Sequence, residues 1–186
     1  MGLTRTSAAS ADPITIDELR KHLAIEHSDD DAYLGSVISA ATRQWERETQ
    51  LQLMPATYEY TMDLIADATI YLPIGPVRSI TSITYYDASD VLQTLDASKY
   101  TLVADQSPAY LWSASWPATY SRPNAVKITI AAGYADRSSI PIEIKHDLKI
   151  DCATAYTYRL GYGTENIRRN PIQGRAAMVY NRRGVG

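Results

Sequence analysis

The sequence predicts an α+β protein, a small helical bundle carrying an inserted antiparallel β-rich domain and an extended C-terminal arm. Three observations carry that expectation. Residues 15–49 hold two stretches with polar caps and apolar residues at three- and four-residue steps. Residues 57–134 change to a two-residue period broken by turn residues, with no helical stretch among them. The helical period then returns after Pro141.

A chain of 186 residues suits one domain, or a core with one sizeable insertion. Residues 1–13 are small and polar, end at Pro13 and are expected to be a flexible lead-in. They hold no apolar stretch of signal-peptide length, so export is not expected. The first helix opens on Thr15-Ile16-Asp17-Glu18, the Thr-x-x-Glu capping box, and Leu19 and Leu23 one turn apart carry it to about Ile25. Ser28-Asp29-Asp30-Asp31 starts the second helix, where three carboxylates suit the positive helix end and offer caps to its free N–H groups. Its stripe reads Leu34, Val37, Ile38, Ala41, Trp45 and Glu48, with Ser36, Arg43, Gln44, Arg47 and Gln50 opposite, and Pro55 forbids continuation.

From Thr57 to Leu64 apolar and polar residues alternate, the mark of a half-buried strand. Thr69–Leu72 is a second, short strand, closed by Pro73-Ile74-Gly75-Pro76, which cannot be helix. Val77–Tyr86 follows; Ile80 and Ile83 break strict alternation there and predict a bulge or a strand buried on both faces. Short strands at 91–95, 99–103, 110–112 and 125–131, parted by turns, complete a block that reads as an antiparallel sheet, sandwich or small barrel. Ile144, Leu148, Cys152, Ala155 and Tyr156 then mark a helix that ends near Leu160, stopped by Gly161-Tyr162-Gly163. The expected segments are therefore a lead-in at 1–13, a helical bundle from 14–56 and 135–160, a β domain at 57–134 and an arm at 161–186.

Composition narrows function. The longest apolar runs are a few residues, too short to span a membrane. The single cysteine, Cys152, excludes an internal disulfide and falls at core spacing on a helix, so it reads as a small buried apolar residue and not a nucleophile. No Gly-x-Ser-x-Gly elbow, phosphate-binding glycine loop or His-Glu-x-x-His is present, and His22 and His27 lack partners at ligand spacing. Neither catalysis nor a metal or other cofactor is expected. Phe is absent while Tyr occurs 14 times, a bias that suits partly buried contact surfaces.

Charge is uneven. Residues 161–186 carry five arginines against Glu165, a net +4, so that with −3 overall the first 160 residues carry −7. An acidic body with a basic arm suggests an oriented partner. Arg168, Arg169, Arg175, Arg182 and Arg183 could bind carboxylates of a neighbouring protein, with Ile172, Met178 and Tyr180 as apolar anchors. DNA phosphates or a solvated tail are the lesser alternatives. The absence of lysine in the arm favours bidentate contacts over a generic polycation.

Four stretches together resemble the tailed-phage head–tail connector family, the gp6-like adaptor or head completion proteins: ITIDELRKHLAIEHSDDDAYLGSVISAATRQWERETQ, YLPIGPVRSITSITYYDASDVLQTLDASKY, AVKITIAAGY and IPIEIKHDLKIDCATAYTYR. The resemblance implies a structural virion protein without turnover. It implies a homo-oligomeric ring, typically dodecameric, beneath the portal protein, which extends the channel for genomic DNA and docks the next neck or tail-completion protein. It places the protein in the virion neck, and in the host cytoplasm during assembly. It matches the basic arm to a segment that reaches into the portal; on that reading the long second helix, with Arg43 and Arg47, and the C-terminal helix are expected to build the ring contacts. The large β block departs from the shorter members of the family. Two other readings stand beside it. One is a tail-completion protein of the same neck; the other is a carbohydrate- or host-binding β module that uses Tyr110, Trp112, Trp116 and Tyr120.

Overall fold

The computed structural model describes residues 1–158 apart from Ala8, Ser10 and Ala66. The chain divides into two compact units, one built from Met1–Ser10 and Met54–Tyr134 and the other from Ala11–Leu53 and Ala135 onward. With helices in one and antiparallel sheets in the other, the architecture is α+β, as the sequence predicts.

In the β unit, β1 (Gly2–Ser7), β2 (Ala56–Met62), β4 (Val77–Tyr86), β5 (Leu92–Thr94) and β8 (Val126–Ala132) form one sheet in the order β1-β2-β8-β4-β5. A second sheet of β3 (Thr69–Tyr71), β6 (Thr101–Val103) and β7 (Tyr110–Trp112) has the order β3-β7-β6. All pairs are antiparallel. The central strand β8 alternates cleanly: Val126, Ile128, Ile130 and Ala132 are buried while Lys127 is exposed. Tyr60 and Ile83 lie opposite Ile128 on the two sides, and Tyr58 and Ile80 opposite Ile130. Leu72, Ile74 and Leu111 join the same core.

The expected bulge in β4 is present. Register shifts between Val77 and Ser79 and again between Ile80 and Ser82. The extra residue lets Ile80 and Ile83, three apart, both align with buried β8 residues on one face.

The lead-in expected at 1–13 is in part a strand. Gly2–Ser7 adds to the edge of the larger sheet, with Leu3 opposite Tyr60 and Arg5 opposite Tyr58. Thr6 Oγ1 donates to the Thr57 carbonyl at 3.2 Å, and Ser7 Oγ accepts from the Thr57 N–H at 3.0 Å. An edge strand is held by its backbone ladder and needs little side-chain burial, so its sequence carries no apolar pattern.

In the helical unit, α1 (Ile16–Leu23), α2 (Asp31–Thr49) and α3 (Ile142–Thr157) pack pairwise. Leu19, Leu34, Ile38, Ile144, Leu148 and Cys152 are fully buried. The capping box of α1 is complete: Glu18 N–H donates to Thr15 Oγ1 at 3.1 Å, and Thr15 N–H to Glu18 Oε2 at 2.7 Å. Burial pushes the Glu18 carboxyl up, but the Thr15 N–H, the Lys149 and Lys145 charges and the Thr15 hydroxyl together hold it below its ordinary value. That contribution is present above the ordinary glutamate range and fades as pH falls through the folded value. Thr15→Ala is expected to destabilise the helical unit by about 1 kcal/mol, read as a lower urea midpoint at unchanged slope.

Two details of α2 differ from expectation. Thr42 and Thr49 are buried where Ala41 and Glu48 were expected, because the stripe drifts around the helix as 34, 38, 42, 45, 49. Thr49 Oγ1 donates to the Trp45 carbonyl at 2.8 Å and accepts from Leu51 N–H at 3.3 Å, which satisfies the buried hydroxyl. At the other end Asp30 occupies the cap position without a side-chain cap bond. Its Oδ2 accepts instead from the Tyr156 hydroxyl at 2.6 Å, tying the start of α2 to the end of α3. In α3, Asp147 is buried and Ala155 exposed. No described helix is long and apolar enough to cross a membrane.

Candidate functional site

Three surfaces hold the residues read from the sequence as candidate contacts, beginning with α2. Arg43 and Arg47 are both exposed on α2, one turn apart on the same face. Gln44 and Glu48 accompany them, bonded to each other at 3.0 Å from Gln44 Nε2 to Glu48 Oε1. Below this face Glu46 Oε1 accepts from Gln52 Nε2 at 2.7 Å and from Leu53 N–H at 3.0 Å, which fixes the chain just past the helix. Gln50 ends α2 in the left-handed region at φ 56°. The arginines thus project from a well-anchored helix, which suits a contact surface.

The second is the end of α3. Tyr156 meets Asp30, its ring lies 6.1 Å from that of Tyr33, and the Tyr33 hydroxyl reaches the Ala155 carbonyl. Arg168, Arg169, Ile172, Arg175, Met178, Tyr180, Arg182 and Arg183, the arm residues, lie outside the described residues.

The third comprises the aromatic residues of the β unit, which the structure separates into two groups. Tyr110 and Trp112 stand on one face of β7, and Tyr71 on β3 joins them, its ring 5.8 Å from that of Tyr110. Tyr71 is 61% and Trp112 47% exposed, while Ile70 and Leu111 point into the core. Trp116 and Tyr120 lie elsewhere. They line an open groove of about 750 Å³ with Asp63, Leu64, Arg122 and Pro123. Trp116 packs against the core and donates from Nε1 to the Ala68 carbonyl at 3.1 Å. Arg122 sits 4.0 Å over the Tyr86 ring and donates to Asp90 at 2.8 Å, holding the groove loop to the β4–β5 turn. The four aromatics read together from the sequence therefore do not form one binding face. Tyr71 was absent from that set, although the alternation Thr69-Ile70-Tyr71 places it opposite the buried Ile70.

Chemical groups suited to catalysis are not assembled by these surfaces. Burial, with the Asp151 and Asp12 charges, pushes the Cys152 thiol up to about 12, which leaves it an inert core residue. The His22 and His146 rings meet edge to face at 6.3 Å. Among the described residues no group of three or more His, Cys, Asp or Glu side chains is placed to hold a metal ion. Asp136 is held down at about 2 by the Ser138 and Ser139 hydroxyls and the Ser139 N–H, a capping arrangement on the turn before α3.

Residues 13–89 match the model of the phage gp6-like head–tail connector protein family. No curated protein matches the chain. Among solved structures, a chain in the neck of an empty gene transfer agent (GTA) particle, computed with C6 symmetry, superposes with a TM-score of 0.83 at 22% identity. The superposition covers 100% of this chain and 97% of that one. A chain in the neck of the native particle, computed with C12 symmetry, gives 0.79 at 22% identity with the same coverage. So does one from the virion of the native particle. At that identity the likeness establishes the fold. Residues 13–89 are thus similar to the phage gp6-like head–tail connector family, and over its whole length the chain has the fold of a gene transfer agent neck chain.

Proposed function

We propose that this chain is a structural head–tail connector of a tailed phage or phage-like particle. It forms a ring of twelve under the portal, in keeping with the C12 symmetry of the neck that holds its fold relative, extends the DNA channel and presents a platform to the next neck or tail protein. The observation that carries the reading is the coincidence of two matches: the connector family over residues 13–89 and a neck chain over the full length. The two units suggest a division of labour. The helical unit supplies ring contacts through α2 and α3, and the arm from Gly161 grips the portal. The protein resides in the virion neck, assembles in the host cytoplasm, performs no turnover and uses no cofactor.

Imaging the purified chain by electron microscopy, alone and with portal assemblies, tests the reading. Rings with an axial channel are expected, either free or seated on portal. Particles that stay monomeric and unattached in both conditions count against it. Arg43→Glu with Arg47→Glu reverses two exposed charges without disturbing the buried stripe, so the fold is kept while ring assembly weakens. Native mass spectrometry reads this directly, and an undiminished ring in the double variant removes α2 from the interface.

A further inference from the structure

We propose that the outer face of the β3–β7–β6 sheet is a platform for a neutral carbohydrate chain. The register places Trp112 between Thr69 and Thr101, and Tyr110 between Tyr71 and Val103. These six side chains share one face, because Ile70 and Leu111, the alternate residues, are buried. An exposed tryptophan is thereby flanked by a hydroxyl on each neighbouring strand, beside two tyrosines whose rings are 5.8 Å apart at 60°. The backbone beneath is pinned. Ser113 N–H donates to the Ala68 carbonyl at 3.1 Å and Ser113 Oγ to the Lys99 carbonyl at 2.6 Å, locking the end of β7 against the segments that lead into β3 and into β6.

Chemistry and size select the ligand. None of the six side chains carries a formal charge at neutral pH, so the face offers no ion-pair partner to a charged ligand. Aromatic faces are electron-rich and attract the slightly positive C–H face of a sugar ring, while threonine and tyrosine hydroxyls exchange hydrogen bonds with sugar hydroxyls. Three strands about 4.8 Å apart, each about 10 Å long over three residues, give a face on the order of 150 Å². A stable protein interface needs about 800 Å² per partner. The patch is too small for that on its own, and it has the dimensions of one or two sugar rings. The proposal is independent of the connector assignment and can fail without it.

Native affinity electrophoresis of the full chain, in gels holding a soluble neutral glucan, mannan or galactan, tests it. At least one polysaccharide is expected to retard the protein, and added salt leaves the retardation unchanged. Trp112→Ala and Tyr71→Ala are each expected to weaken binding about tenfold, whereas Tyr120→Ala, whose ring lies off this face, leaves it intact. Both substituted rings are exposed, and circular dichroism checks that the fold is kept. Retardation by none of the polysaccharides overturns the proposal, as does retardation that Trp112→Ala leaves unchanged. So does loss of ring or portal assembly in Trp112→Ala without any glycan binding, which makes the face a protein contact.

Discussion

Ile128→Ala is expected to destabilise the β unit by about 2–5 kcal/mol, the usual range for truncating a buried isoleucine. The upper part of the range applies here. Ile128 is wholly buried in the central strand of the larger sheet, with Tyr60 on one side and Ile83 on the other. Backbone ladders on both edges of β8 keep the neighbouring strands from closing on the space left behind. Ile80 offers a contrast within the same sheet: it lies beside a bulge and is only half-buried, so Ile80→Ala should cost clearly less. Urea unfolding monitored by far-ultraviolet circular dichroism separates the two. For a unit of this size a loss of 2 kcal/mol lowers the melting temperature by roughly 10 °C. A loss below about 1 kcal/mol at Ile128 means that the sheets slide together to fill the space.

The same strand shows what the sequence could reveal. In β8 every second residue is apolar, so strand, period and buried face were all legible. In β4 the broken alternation at Ile80 and Ile83 announced the bulge, because two apolar residues three apart can share a face of a strand only if an extra residue lies between them. β1 left no such trace. Its six residues are held by the ladder to β2 and bury almost nothing, and backbone hydrogen bonding is common to every sequence.

The candidate surfaces were legible to a different degree. Alternation shows that Tyr110 and Trp112 share a face but not whether that face looks inward. The answer comes from the sheet partners: Leu111 and Ile70 meet the core, so the tryptophan is left outside. Grouping Trp116 and Tyr120 with them relied on proximity in the chain, and a loop of several residues is enough to carry a side chain to another side of the unit. Asp30 illustrates a competing partner. A cap position is readable from local sequence, but the Tyr156 hydroxyl that claims its carboxylate is 126 residues away.

Removal of Thr164–Gly186 is expected to leave a folded protein whose affinity for portal assemblies falls by two decades or more. Folding should survive because the described part of the helical unit is closed without that segment. Leu148 and Cys152 complete its core, and Tyr156 docks on Asp30 before the segment begins. Binding should not survive if the arm is the grip. The deletion removes all five arginines of the arm together with Ile172, Met178 and Tyr180. Charge-assisted bonds from arginine to carboxylates are about twice as strong as neutral ones, and bidentate geometry makes them specific. A variant with all five arginines replaced by lysine separates charge from geometry, since it keeps the net charge and loses the planar fork. If the arm docks on protein carboxylates, the lysine variant binds portal weakly despite its charge. If the arm acts only as a generic polycation, the lysine variant behaves like the parent and its binding falls steeply with salt. Circular dichroism of the deletion and pull-down with portal at two salt concentrations distinguish these outcomes, and portal binding undiminished by the deletion moves the grip onto the helical unit itself.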